Sequence, residues 1–248
     1  MIPEELTPPV PLDVDDALEL LRHGELSVEG RLVDASNATL YCAVTTDGLS
    51  AACVYKPIAG ERPLWDFPDG TLAEREVAAY EVSAATGWSI VPPTIYRDGP
   101  LGPGMVQLWI GEDDTHDLVA LIRRRDSAAL RRIAVFDAVV NNADRKGGHL
   151  LPTPDGHVYG VDHGVTFHVE NKLRTVLWQW SGNRLPDDTL VTLRSLRGQL
   201  AEPLCERLAE LLTTREVRRT VRRVDELINR GRHPEPSDDW PAVPWPPM

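Results

Sequence analysis

The chain has 248 residues, enough for one or two domains with a substantial core, and its 42% hydrophobic and 26% charged content is ordinary for a soluble globular protein. A formal net charge of −12 speaks against nucleic acid or an anionic membrane as the main partner. No apolar run approaches the roughly 20 residues of a membrane span, and three cysteines make too sparse and odd a set for a disulfide framework, which points to a reducing, cytoplasmic setting.

The opening MIPEELTPPVPLDVDD has neither a basic nor an apolar region and does not read as a secretory signal. Residues 1–11 are Pro-rich and read as irregular. A helix is predicted over 13–23: Asp13 can cap it, Ala17, Leu18 and Leu21 share a face, and Gly24 stops it. Extended runs follow at 30–33 and 40–45, divided by Asp34-Ala35-Ser36-Asn37, and an Asp47-Gly48 turn leads into 51–56. Residues 30–56 thus read as an antiparallel meander. Cys42 and Cys53 flank the turn symmetrically and are expected to face each other, either as two small strand residues or as a redox pair.

Residues 57–70 form a loop rich in Pro, Gly and Asp. A helix over 72–86 carries Val77, Tyr80 and Ala84 on one stripe and ends at Gly87. Two more strands are predicted at 90–96 and 105–110. Beyond 111 the chain turns helical and Arg-rich, so the boundary is placed between a β-rich N-terminal lobe, 1–110, and a mainly helical C-terminal lobe, 111–248. In the second lobe, 131–141 is an apolar-periodic helix and 142–149 a polar loop. Runs at 150–151 and 158–161 follow, split by Pro154-Asp155-Gly156. Helices are predicted at 187–197, ended by Gly198, and at 203–212. The last helix opens on a capping box of Thr213 and Glu216, repeats Val217, Val221, Val224 and Ile228, and ends at Gly231. The Pro- and Trp-rich tail can be neither helix nor sheet, and Trp240 and Trp245 suggest that it packs along the surface.

The chemistry gathers between 130 and 167. Asp144, in a loop with two glycines, can accept a hydroxyl proton or orient an attacking oxygen. Arg145 beside it could hold the loop or a phosphate. Asp162, after the apolar run and before Gly164, is a hard ligand suited to a phosphate-bound magnesium. Lys56 at a strand end can neutralise phosphate charge, with Glu76 on the next helix as its partner. Each of these alone also reads as a surface or turn residue, and their order on these elements is what raises the functional reading. Ser36 and Asn37, at the meander tip, could offer N–H groups to phosphates or serve only as turn formers. No P-loop motif and no G-x-G-x-x-G opens a helix. His149, five residues after Asp144, is a poor magnesium ligand. It reads either as a ligand for a metal such as manganese or as a hydrogen-bonding group only.

These residues resemble the phosphatidylinositol 3- and 4-kinases, most of all the type II phosphatidylinositol 4-kinases and an actinobacterial branch similar to them. Asn142-Ala143-Asp144-Arg145 resembles their catalytic loop and Val161-Asp162-His163-Gly164 their metal loop. Val54-Tyr55-Lys56-Pro57 looks like the ATP-lysine strand, and the segment from Arg75 to Tyr80 like the helix with its Glu partner. Val91-Pro92-Pro93-Thr94 resembles the following strand, and Val106-Gln107-Leu108-Trp109-Ile110 the hinge. The resemblance spans about residues 30–170 and implies a two-lobed, protein-kinase-like α+β fold with an antiparallel sheet lobe and a helical lobe. It implies that Lys56 touches ATP phosphates, with Val54 on the same strand, and that Glu76 holds Lys56. Gln107, Leu108, Trp109 and Ile110 would hold adenine through the backbone, Asp144 would be catalytic, and Asp162 would bind Mg2+ or Mn2+. His149 stands where the family carries Asn. The expected activity is transfer of the γ-phosphoryl group of ATP to a hydroxyl. The expected acceptor is a soluble polyol such as an inositol or inositol phosphate, met by the stretch from 167 to 184 with Lys172 and Arg174. A protein Ser/Thr hydroxyl and a nucleotide-binding pseudokinase are the alternatives.

Overall fold

The computed structural model describes residues 12–32, 38–46, 48–68, 70–111 and 117–248. Ser36 and Asn37, and the Asp47 half of the predicted hairpin turn, lie outside them. The chain divides into two compact units, Met1–Val77 with Pro92–Gly111 and Ala78–Val91 with Glu112–Met248.

The first unit is built on five antiparallel strands. They are β1 (Glu25–Arg31), β2 (Leu40–Thr46), β3 (Leu49–Pro57), β4 (Thr94–Gly99) and β5 (Gly102–Leu108), in the order β1-β2-β3-β5-β4. Helix α1 (Val14–His23) is capped by Asp13, whose side chain accepts from the Asp16 amide. It lays Leu20 and Leu21 into a core with Leu40, Cys42, Val44, Cys53, Tyr55, Ile95 and Val106. Cys42 pairs with Cys53 across β2 and β3, and both thiols are free.

Two strand expectations shift. β1 starts five residues before the predicted run, because it is an edge strand of mostly exposed residues held through its backbone to β2, with no apolar alternation to read. β4 starts at Thr94 instead of residue 90: Pro92 and Pro93 have no N–H to give a ladder. Helix α2 (Leu72–Thr86) has the predicted limits and ends at Gly87, φ 68°, in the left-handed region glycine tolerates.

The second unit includes residues 78–91, which the sequence reading assigned to the first lobe. Long-range bonds account for this. Gly160 N donates to Ile90 O (2.8 Å), a His157 ring nitrogen meets Ser89 O (2.9 Å), Gln199 donates to Ala85 O (2.9 Å) and Arg207 pairs with Glu81 (2.8 Å). Its remaining elements are α3 (Leu118–Ile122), α4 (Ala128–Val140), β6 (Leu150–Pro152), β7 (Val158–Gly160), α5 (Asp187–Gln199), α6 (Leu204–Ala209) and α7 (Thr214–Arg230). Ile133, Val135, Phe136, Val139 and Val140 bury α4 nearly all round, as for a helix at the centre of a helical unit. β6 and β7, the two runs split by Pro154-Asp155-Gly156, pair antiparallel as a small hairpin. α5 continues past Gly198, the predicted stop, and α7 has the capping box and the Gly231 terminus expected of it. Among the described residues no helix is long and apolar enough to cross a membrane.

Candidate active site

In the first unit the cationic candidate sits on β3. Lys56 Nζ lies 2.6 Å from Glu76 Oε1 on α2; the carboxylate side chain is 2% exposed and the lysine 17%. The buried glutamate holds the ammonium, and part of the lysine side chain stays accessible. Glycine makes the strand pairing possible there: a Cβ on Gly104 would run into the Lys56 carbonyl oxygen and meet Pro57 Cα at 2.7 Å. Val54 is paired with Gln107 in the sheet. The Gln107 side chain is buried and donates to Thr94 Oγ1 (2.8 Å). The Leu108 and Trp109 amides donate within the unit, to Pro93 O (2.9 Å) and Ala52 O (3.0 Å). Both N–H groups are thus engaged within this unit. Trp109 also meets Tyr41 edge-on at 5.3 Å.

In the second unit α4 ends at Asn141 in the left-handed conformation, φ 55°, and the loop carrying Asp144 begins. One buried carboxylate, Asp137 on α4, organises that loop. It accepts from Asn142 Nδ2 (3.1 Å) and from the Nε (3.1 Å) and Nη2 (2.9 Å) of Arg145. Neither Asp137 nor Arg145 has any side-chain exposure. The other face of Arg145 reaches the second loop: Nη1 donates to Val161 O (2.9 Å) and His149 O (3.3 Å), and Nη2 lies 2.6 Å from His163 Nε2. Guanidinium only donates, so His163 Nε2 accepts and the ring proton belongs on Nδ1. Asn142 Oδ1 accepts from the Asp144 amide (2.9 Å). Of the two roles open to Arg145, this burial matches the holding of loops. Gly160 is required beside it, since a Cβ there would meet Arg145 Nη2 at 3.1 Å and Ile90 at 3.3 Å.

Asp144 is three-quarters buried and pairs with Lys146 Nζ at 3.1 Å. Burial pushes its carboxyl above the usual range; Lys146 and Arg174 oppose the shift and the nearby Asp162 adds to it. Asp162 is a non-glycine residue at φ 60°, a costly conformation that the Arg145 bond to Val161 O helps to fix. Its half-exposed carboxylate lies 3.4 Å from His149 Nε2. This donor set fits a divalent cation carried by a nucleotide. Asp162 offers hard oxygen and His149 an imidazole, which manganese accepts more readily than magnesium. Among the described residues no three or more His, Cys, Asp or Glu side chains converge as a metal group, so phosphate oxygens and water would complete the shell.

Lys172, expected to meet an acceptor anion, is nearly buried with its ammonium 4.5 Å above the Trp240 ring. Arg174 lies beside the loop, its Nε donating to Ala143 O at 2.6 Å. The tail packs through its backbone and Trp240, while Trp245, also expected to pack, is 88% exposed: Ala242 O accepts from Thr175 N and Trp178 Nε1, and Pro247 O accepts from Gly147 N (2.8 Å). The sequence reading missed Asp137, although a lone carboxylate in IAVFDAVV was a signal that some buried cation must meet it.

No protein-family model matches the chain. Protein Rv2133c of Mycobacterium tuberculosis (strain ATCC 25618 / H37Rv) is 46% identical over 266 aligned positions, which cover 94% of this chain and 95% of that protein. The crystal structure of the Golgi casein kinase with Mn/ADP bound aligns over 88% of this chain and 75% of its own, with a TM-score of 0.58 and 14% identity. Another crystal structure of the Golgi casein kinase aligns over 89% and 75%, with a TM-score of 0.53 and 14% identity. At such identity the likeness is one of fold, and the fold is the α+β, two-lobed, kinase-like one.

Proposed function

We propose that this chain, which belongs to the family of protein Rv2133c of Mycobacterium tuberculosis, transfers the γ-phosphoryl group of ATP to a hydroxyl. The observation that carries this reading is the buried Asp137–Arg145 pair, which ties the loop bearing Asp144 to the loop bearing Asp162. Two separate carboxylates are thereby held near enough for one to raise the pKa of the other. Phosphoryl transfer asks a protein mainly for positioning and charge neutralisation, and rigid support of this kind supplies the first.

In this reading Asp144 orients the acceptor hydroxyl and takes its proton as the oxygen attacks. A carboxyl raised by burial is the better base for that step. Lys56, steadied by Glu76, balances phosphate charge, and Asp162 with His149 holds the divalent cation, which supplies further neutralisation when bound. Residues 107–110 remain our adenine-binding candidates, with contact through groups other than the Leu108 and Trp109 amides. Arg145 is a positioning residue. The acceptor we favour is a soluble polyol such as an inositol or its phosphate, with Arg174 next to Asp144 as the anion contact. The motif likeness to type II phosphatidylinositol 4-kinases supports it. A protein hydroxyl is the alternative, since the structural relative is a casein kinase.

One observation favours a second reading, a nucleotide-binding module without turnover: His149 occupies the Asp162 carboxylate at 3.4 Å, where an amide ligand would leave both oxygens to a metal. The test is ATP turnover by the purified chain with Mg2+ and with Mn2+, against a panel of inositols, inositol phosphates and a dephosphorylated casein. Turnover stimulated by one acceptor supports the kinase and names its substrate class. Tight ATP binding with no turnover under any condition supports the module. Absence of ATP binding overturns both.

A further inference from the structure

A cavity of about 750 Å3 lies in the second unit, and neither Asp144, His149 nor Asp162 lines it. Its wall comes largely from α7 and from residues 232–235. Four arginines, Arg219, Arg223, Arg230 and Arg232, stand against two carboxylates, Glu226 and Glu235. Glu226 is already engaged by Arg219, Nη1 to Oε1 2.9 Å. His233 brings no charge at neutral pH: burial and Arg131 pull its pKa down to about 4, and its Nε2 accepts from Arg131 Nε at 3.0 Å.

Arg223 is the unusual member. It is only 6% exposed, its Nη2 donates to the carbonyls of His168 and Glu170, and its buried Nη1 has no hydrogen-bond partner. Burial and the neighbouring Arg219 pull its pKa down to about 9, so it is still charged at neutral pH. A buried cation with an unsatisfied donor is expensive unless something it binds supplies the acceptor. A concave space with surplus guanidinium suits the planar, multidentate recognition of phosphate oxygens.

We propose that this cavity is a second, non-catalytic binding site for a small soluble phosphate-bearing anion, held by Arg219, Arg223 and Arg230. The occupant would be tied to the catalytic loop. The carbonyls of His168 and Glu170 that Arg223 holds also accept from Asn141 Nδ2, at 3.0 and 2.6 Å, and Asn141 opens the loop carrying Asp144.

Calorimetric titration of the full chain with pyrophosphate tests this, at constant ionic strength and with no nucleotide or divalent ion present. Absence of ATP turnover then leaves the result untouched. One-to-one binding is expected, at least tenfold weaker in Arg219→Gln and in Arg230→Gln, each confirmed folded by circular dichroism, and within twofold of wild type in Lys146→Gln. No saturable binding, or binding that survives both arginine substitutions, overturns the proposal. So does binding abolished by Lys146→Gln, which removes the cation beside Asp144 and would put the anion at that loop.

Discussion

Two ion pairs in this molecule use the same attraction for different ends. Asp137–Arg145 has no side-chain exposure at all, and every nitrogen of its guanidinium is spent on a carboxylate, on backbone carbonyls of a second loop or on His163. Lys56–Glu76 buries its anion and leaves the cation partly open. The first pair is a clasp that fixes backbone; the second, in our proposal, presents its ammonium to phosphate. A pair's burial pattern, more than its distance, tells which of these it does: 2.9 Å and 2.6 Å are both short.

The largest effect should come from opening the clasp. Asp137→Ala strands a buried guanidinium and should cost about 3–5 kcal/mol of unfolding free energy in urea. Replacing both partners, Asp137→Leu with Arg145→Met, should cost much less. An Asp137→Ala loss under about 1 kcal/mol would break the comparison, because it would mean that the pair does not hold the loops. Next comes the second pair. Lys56→Met should lower kcat/KM for ATP at least tenfold, about 1.4 kcal/mol, and Glu76→Gln, which keeps the ammonium, should lower it less. Equal losses in steady-state kinetics would make the two residues a structural pair like the first. Thr213→Ala, which touches neither pair, removes half of the α7 capping box and should cost about 1 kcal/mol with kcat unchanged.

The smallest expected effect is one of pH. Burial raises the Asp144 pKa in the folded chain above its unfolded value, so the folded state binds that proton more tightly. Its contribution to stability is therefore full below the ordinary Asp pKa of about 3.9 and is lost as pH rises through the folded value. Asp144→Asn, which does not ionise, should gain stability on wild type as pH is raised to neutral, in denaturation series run at several pH values. A gap independent of pH would count against a raised carboxyl.

Much of this was legible in the chain because it rests on local rules. The α2 limits, the α7 capping box and the Cys42–Cys53 register follow from periodicity, caps and a turn. Lys56 with Glu76, and Asp144 with Asp162, could be singled out because charged residues flank apolar runs. What was missed depends on partners distant in sequence. Asp137 gives its meaning only beside Arg145. Residues 78–91 join the second unit through Gly160 and Gln199. The Leu108 and Trp109 amides look available until Pro93 and Ala52 are in place. Lys172 reads as an acceptor contact until Trp240 covers it. Edge strand β1 carries little pattern because most of its residues are exposed, with Leu26 packing against the core.

The central claim is that Asp144 acts in phosphoryl transfer. The direct measurement compares single-turnover release or transfer of labelled γ-phosphate from ATP, with Mn2+ and with Mg2+, by wild type and Asp144→Ala, with ATP affinity measured alongside. The account predicts a rate loss of about 10²–10⁴-fold at an ATP affinity changed only a few-fold. Equal rates in the two proteins at equal affinity would contradict it.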